Sequence, residues 1–245
     1  MSGRPTMTPP TNATYQPLAG LPLMVWLSPA FPVGSFAYSH ALEWAAEAGQ
    51  LPHADALAGW LGDLLRAGAP RHDAILLAAS WRAMRAADHA DLAAVNELAL
   101  ALAGSKERHL ETTAQGTAFL IAIATSWPHP RIAALALAAP TFARDQPVAY
   151  PVAIGLVAAA HDQDLGATLD AYLMALIGNL IAASIRLSVI GQTDGQRLVA
   201  NVLPAVRQLS RDACDSTLDD LGAAAFMSDI AAMRHETQST RLFRT

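Results

Sequence analysis

The sequence predicts an all-α protein, a single-domain helical bundle of about ten helices. Three observations carry this prediction. Apolar residues recur at helical spacing, strand-like alternation is scarce, and alanine occupies 53 of the 245 positions. Small alanine faces let helices approach toward the low end of the usual interaxial distance of about 8–10 Å.

The elements follow in order. Leu57, Trp60, Leu61, Leu64 and Leu65 stand at i, i+3, i+4, i+7 and i+8, one stripe of a helix. After the break Gly68-Ala69-Pro70, a second helix is predicted over about 71–87. Leu92, Val95, Leu98, Ala99 and Leu102 repeat the stripe. Further helices are predicted at about 105–126, 131–143, 147–161, 165–188 and 194–209. Trp127-Pro128-His129-Pro130, Gln146-Pro147 and Gly191 punctuate them. Phe226, Ile230 and Met233 draw an apolar line on a last helix. The chain divides into a disordered leader (1–20), a helical domain (21–233) and a C-terminal tail (234–245). No repeat of 34 to 47 residues is present, which excludes a common solenoid.

A chain of 245 residues buries roughly 70–75% of its unfolded surface. It needs no disulfides, and its single cysteine, Cys214, makes none within the chain, as suits a reducing cytoplasm. The net charge of −5, with 16 scattered Lys and Arg, excludes a nucleic-acid-binding stripe. The first residues carry one arginine and no apolar run, so no signal peptide is expected. The most apolar stretch, residues 171–190, contains Gly178, Asn179, Ser184 and Arg186. A spanning helix wants about 20 apolar residues and a central Arg opposes insertion. The stretch therefore reads as the buried central helix of a bundle, with no membrane partner.

The residues that carry chemistry in enzymes are not grouped here. None of the eight histidines forms His-x-x-x-His or His-Glu-x-x-His, so no metal site and no cofactor are expected. GQTDGQRLV (191–199) has glycines but neither the lysine of a phosphate loop nor a preceding strand. Its plain reading is a helix stop at Gly191 with a new start near Thr193 or Asp194, leaving Gln192 and Gln196 as contact groups.

Three features remain. WLSPAFPVGSFAYSHALEW (26–44) sets Pro29, Phe31, Pro32, Gly34, Ser35, Phe36 and Tyr38 in one turn, with no acidic pair, cysteine or basic cluster nearby. It reads as a docking corner, or as a helix-breaking corner whose rings pack inward. Tyr172, Asn179 and Arg186 recur every seven residues and share one line on an apolar helix. A buried polar group without a partner costs about 1–3 kcal/mol, so this line has to meet an internal network or a subunit interface. Finally, Leu242 and Phe243 sit between Arg241 and Arg244, apolar anchors among forked donors, as in interface centres.

Taken together, WLSPAFPVGSFAYSHALEWAAEAG, IRLSVIGQTDGQRLV and SDIAAMRHETQSTRLFRT resemble the UreF family of urease accessory proteins, in order and over nearly the whole chain from about residue 22. SKERHLETTAQGTAF (105–119) is similar to a variant of that family's Arg-Glu-Thr-x-Glu-Leu helix, with Lys106, Glu107 and Arg108 replacing its opening. Arg186 stands where many relatives have lysine.

The resemblance implies a non-enzymatic, dimeric, cytoplasmic adaptor. Its partners would be UreD (also called UreH), the GTPase UreG and apo-urease, with nickel delivered to the latter. Partner contacts would come from Pro29, Phe31, Pro32, Gly34, Ser35, Phe36 and Tyr38, from Arg186, Gly191, Gln192, Gly195 and Gln196, and from Arg234, His235, Glu236, Arg241, Leu242 and Phe243. The tail would order when UreD binds. Two alternatives stand beside this: Arg186 or Arg244 inserted as a finger into the UreG site, or an enzyme using Tyr38, His40 and Glu43.

Overall fold

The computed structural model describes residues 20–144 and 146–244. Among them lie eleven α-helices, three short 3-10 turns and no strand, in agreement with the predicted all-α class. Two short helices, α1 (Leu21–Trp26) and α2 (Leu42–Glu47), flank a corner. They are followed by α3 (Ala54–Ala67), α4 (Ala69–Ala86), α5 (His89–Ala101) and α6 (Lys106–Ser126). Then come α7 (Pro130–Ala138), α8 (Tyr150–Ala160), α9 (Leu165–Arg186), α10 (Gln192–Asp215) and α11 (Phe226–His235). Of the leader assigned to 1–20, all but Gly20 lies outside the described residues.

Local chemistry sets the helix starts. Asp88, Ser105 and Asp164 accept the N–H of Asp91, Arg108 and Ala167 at 2.9, 3.1 and 2.8 Å, satisfying donors that the first turn leaves free. His53 and His129 do the same through Nδ1 for Ala56 and Arg131. At the far end of α10, Arg82 donates to the carbonyls of Cys214 and Ser216 at 2.6 and 2.9 Å, so a side chain of α4 closes that terminus.

The predicted stripe of α3 is the one that packs, with Leu57, Leu61, Leu64 and Leu65 buried. Three expectations are corrected. The central helix is α8, in which every residue from Pro151 to Ala160 is buried. By contrast, α9 is long and apolar enough to cross a membrane by length and composition, yet only half of its apolar window is buried. The helix predicted over 131–143 ends at Ala138, because Pro140 cannot continue it, and a 3-10 turn follows. The stop assigned to Gly191 falls earlier. Ser188 takes the left-handed conformation (φ 60°), and the Val189 N–H reaches back to Ser184 O, the closing pattern usual for a glycine. Gly191 is instead the N-cap of α10, which runs on to Asp215 through an exposed Pro204.

Two glycines fix how closely the central helices meet. A Cβ on Gly155 of α8 would lie 2.0 Å from Ser80 Oγ and 2.4 Å from Leu77 O on α4. A Cβ on Gly116 of α6 would lie 2.0 Å from Val148 O. No side chain fits in either place, so α8 meets α4, and the segment leading into α8 meets α6, at backbone distance.

Candidate functional site

The corner between α1 and α2 depends on strained backbone. Gly34 is left-handed (φ 73°) and opens the 3-10 turn Ser35–Ala37. His40 and Ala41 are both left-handed (φ 50° and 63°), two consecutive non-glycine residues in a conformation that costs about 1–3 kcal/mol each. The two readings of the corner's rings divide between them. Phe31 packs inward, 5.4 Å from Phe119, and Tyr38 is buried, whereas Phe36 is 64% exposed. Pro29 and Pro32 are exposed, and Gly34 and Ser35 are half-buried.

The seven-residue polar line of α9 holds this corner. Asn179 Nδ2 donates to Tyr38 O at 3.1 Å, and Arg186 Nη1 donates to Phe36 O at 2.6 Å. Tyr172 donates to Asp73 Oδ2 at 2.8 Å. All three find partners within the chain, so the line meets an internal network.

That network is centred on α6. Arg108 donates to Asp73 Oδ2 at 2.6 Å and pairs with Glu111 at 3.2 Å; His40 Nε2 lies 2.8 Å from Glu111 Oε1, which also accepts from Gln115. Burial alone would raise the Glu111 carboxyl, but the neighbouring His40 and Arg108 outweigh it and hold it at about 2. Burial would lower the Arg108 guanidinium, and Asp73 and Glu111 instead push it up. Burial raises the Tyr38 hydroxyl, the Glu111 charge adds to this, and a hydrogen bond from Arg244 opposes it. A cavity of about 270 Å³ opens beside these groups, lined by His40, His72, Asp73, Arg108, Glu111 and Asp229. Among the described residues no three His, Cys, Asp or Glu are grouped to hold a metal ion.

One helical turn before Glu111, Glu107 begins a second cluster that receives the tail. His235 Nδ1 lies 2.7 Å from Glu107 Oε2, and Nε2 lies 3.3 Å from Glu43 Oε2 on α2. Arg241 Nη1 donates to Glu107 Oε1 at 2.6 Å. The N–H groups of Leu242 and Phe243 donate to Glu43 at 2.5 and 2.9 Å, and that of Arg244 donates to Ala37 O at 2.8 Å. The Phe243 ring is buried and receives the Arg186 guanidinium over its face at 4.5 Å. Corner, α9 line and tail therefore form one assembly.

The structure thus joins the 26–44 corner, Arg186 and the tail, three segments that the sequence singled out separately. Gly191, Gln192 and Gln196 lie exposed at the start of α10. Gly195 is buried, where a Cβ would lie 2.8 Å from Ile185 Cδ1; it serves close packing of α10 on α9. Arg234 and Leu242 are exposed and Glu236 accepts the Lys106 N–H at 2.9 Å. Tyr38, His40 and Glu43, weighed as an enzyme site, are each engaged with a different group: Arg244, Glu111 and the tail. Sequence reasoning missed Asp73, Glu107, Arg108 and Glu111. The one available signal was Glu107, Glu111 and Gln115 at four-residue steps, a polar line on a helix that also buries Phe119 and Ile123.

Fold and site define an all-helical protein whose polar interior grips its own corner and C-terminal segment and leaves large apolar side chains outside. The family model of UreF matches residues 51–203. Urease accessory protein UreF of Xanthobacter autotrophicus is 50% identical over 229 residues, covering 94% of this chain and 92% of that protein. Urease accessory protein UreF of Azorhizobium caulinodans is 49% identical over 232 residues, covering 95% and 98%. That of Rhodopseudomonas palustris is 51% identical over 223 residues, covering 91% and 92%. The chain belongs to the UreF family.

Proposed function

We propose that the chain is a non-enzymatic adaptor of urease maturation. It bridges UreD (UreH) and the GTPase UreG, works as a homodimer in the cytoplasm, modulates the GTPase step, and serves nickel delivery to apo-urease. Family membership supports the role in urease maturation. The observation that carries the adaptor reading is the surface around the tail. On α11, Phe226, Met227, Ile230 and Met233 are 75, 53, 47 and 56% exposed, and Leu242 of the tail is exposed as well. Apolar side chains clustered on one short helix favour a protein partner over solvent. The tail order set by Glu43 and Glu107 supports a role in presenting this surface to UreD.

The finger reading of Arg186 and Arg244 has less support, since both already bond within the chain. The test is co-purification of UreD and UreG from cells making urease, with nickel in the urease as readout. Met233→Ser and Leu242→Ser change exposed groups only, so the fold should persist while the UreD complex weakens at least tenfold. Removal of residues 235–245 should abolish that complex. Normal complexes and normal nickel loading with all of these variants would refute the adaptor reading.

A further inference from the structure

The cavity of about 270 Å³ that opens where α4, α6 and α11 converge has an acidic wall. Asp73, Glu107, Glu111 and Asp229 line it, against the single guanidinium of Arg108. Most of these groups are engaged within the chain. Arg108 bonds Asp73 and Glu111, Tyr172 bonds Asp73, and Arg241 bonds Glu107. Two groups are left over. Asp229 of α11 is exposed and pairs with no Lys or Arg among the described residues. His72 of α4 also lines the cavity, and its Nε2 is buried without a hydrogen-bond partner. Burial lowers the His72 imidazole, and Arg71 adds to this against Asp73, Asp229 and a bond to the Ala223 carbonyl. The neutral ring has one N–H, which that carbonyl takes, so Nε2 presents a lone pair. A buried acceptor without a donor is costly and rare in a finished structure.

We infer that the cavity receives a basic side chain, arginine or lysine, from the protein partner that docks on α11. This rests on the adaptor reading above and adds what the partner has to present. Both unengaged groups accept hydrogen bonds, so a positively charged donor fits and a carboxylate does not. Ser228, Asp229 and Ala232 line the cavity from the same helix that exposes Phe226, Ile230 and Met233. Apolar contact and charge insertion therefore fall on one surface. Leu102, Ala103 and Ala224 also line it, an apolar wall for the methylene stem of a basic residue. The cavity is smaller than the roughly 300–1,000 Å³ of pockets that hold drug-sized ligands, and suits one side chain. An acidic cleft also draws a cationic partner group toward its mouth before contact is made.

The test uses the full chain, with butylguanidinium standing in for the basic side chain and butyramide for a neutral one. In NMR titrations the cation should shift the His72 ring and the amides of residues 223–229 and then saturate, and butyramide should not. Asp229→Asn should weaken the cation about threefold, and Asp229→Glu, which keeps the anion, should bind it as the unaltered chain does. No saturable shift at these positions, an equal response to butyramide, or indifference to Asp229→Asn would each overturn the inference.

In cells making urease, Asp229→Lys places a cation of the chain's own at the mouth and should weaken the complex with the partner about tenfold or more. Asp229→Glu should leave that complex unchanged. If the lysine variant fails to fold, Asp229→Asn, which keeps the shape of the side chain, decides in its place. Suppose Met233→Ser and Leu242→Ser weaken the complex while the Asp229 variants do not. The basic side chain is then refuted and the adaptor reading stands. If none of them weakens it, both fall.

Discussion

Glu43 accepts the backbone N–H of Phe243 at 2.9 Å across 200 positions of sequence. This bond ties the first turn of α2 to the tail. Glu43→Ala removes the acceptor for both Leu242 and Phe243 and leaves His235 with one carboxylate. A loss of about 1–3 kcal/mol is expected, with the tail rather than the bundle opening. Limited proteolysis should cut first within residues 236–244, and Glu43→Gln, which keeps one acceptor oxygen, should be cut more slowly.

Arg108 is the shared cation of Asp73 and Glu111. Arg108→Ala leaves two buried carboxylates without their shared cation, with Tyr172 still bonded to one and His40 and Gln115 to the other. Breaking a buried pair in this way costs about 3–5 kcal/mol, to be read from the denaturant midpoint.

The central glycines give a paired prediction. Gly155→Ala and Gly116→Ala force backbone and Ser80 apart, and each should destabilise by about 1–3 kcal/mol or more. Gly178→Ala lies within α9 with nothing inside 4 Å of the new Cβ, and should stabilise by about 0.5–1 kcal/mol. Thermal unfolding of the three variants should show shifts of opposite sign.

Acid should unfold the protein in two windows. Burial, with His129 adding to it, lowers the His161 imidazole to about 4 from an ordinary 6.5. The stability this neutral ring contributes is present above 6.5 and is lost as pH falls toward 4. Glu111 is depressed from 4.5 to about 2, so its contribution is present above 4.5 and is lost as pH falls toward 2. Chemical denaturation in pH steps should show both declines, with Glu111→Gln flattening the lower and His161→Phe the upper.

What could be read in advance depended on how far apart the interacting groups lie along the chain. The stripe of α3 and the line Tyr172, Asn179, Arg186 were legible because a helix alone fixes which residues share a face. The stop at Ser188 was not, because a serine in the left-handed region is stabilised by the closing bonds to Ser184 and Ile185 and leaves no glycine as its mark. Asp73 and Glu107 carry no mark of their own in the sequence, and Glu43 suggests only a catalytic group beside Tyr38 and His40. Only the packed bundle brings them to Arg108, His235 and Arg241, up to 192 residues away. The role of α8 was obscured for a related reason. Its eleven residues are few beside the 22 of α9, which stands out by length, yet the smallness of its alanines and Gly155 is what admits them to the centre.

The direction of synthesis gives the tail's contact with Glu43 and Glu107 a consequence in time. A nascent chain emerges from its N-terminus, so α2 and α6 are in place well before residues 235–243 reach them. Until then Glu43 and Glu107 lack the tail's donors and must stay hydrated on an open surface. Residues 235–243 therefore close over groups already in place, and a newborn copy spends its first moments with the receiving groove vacant.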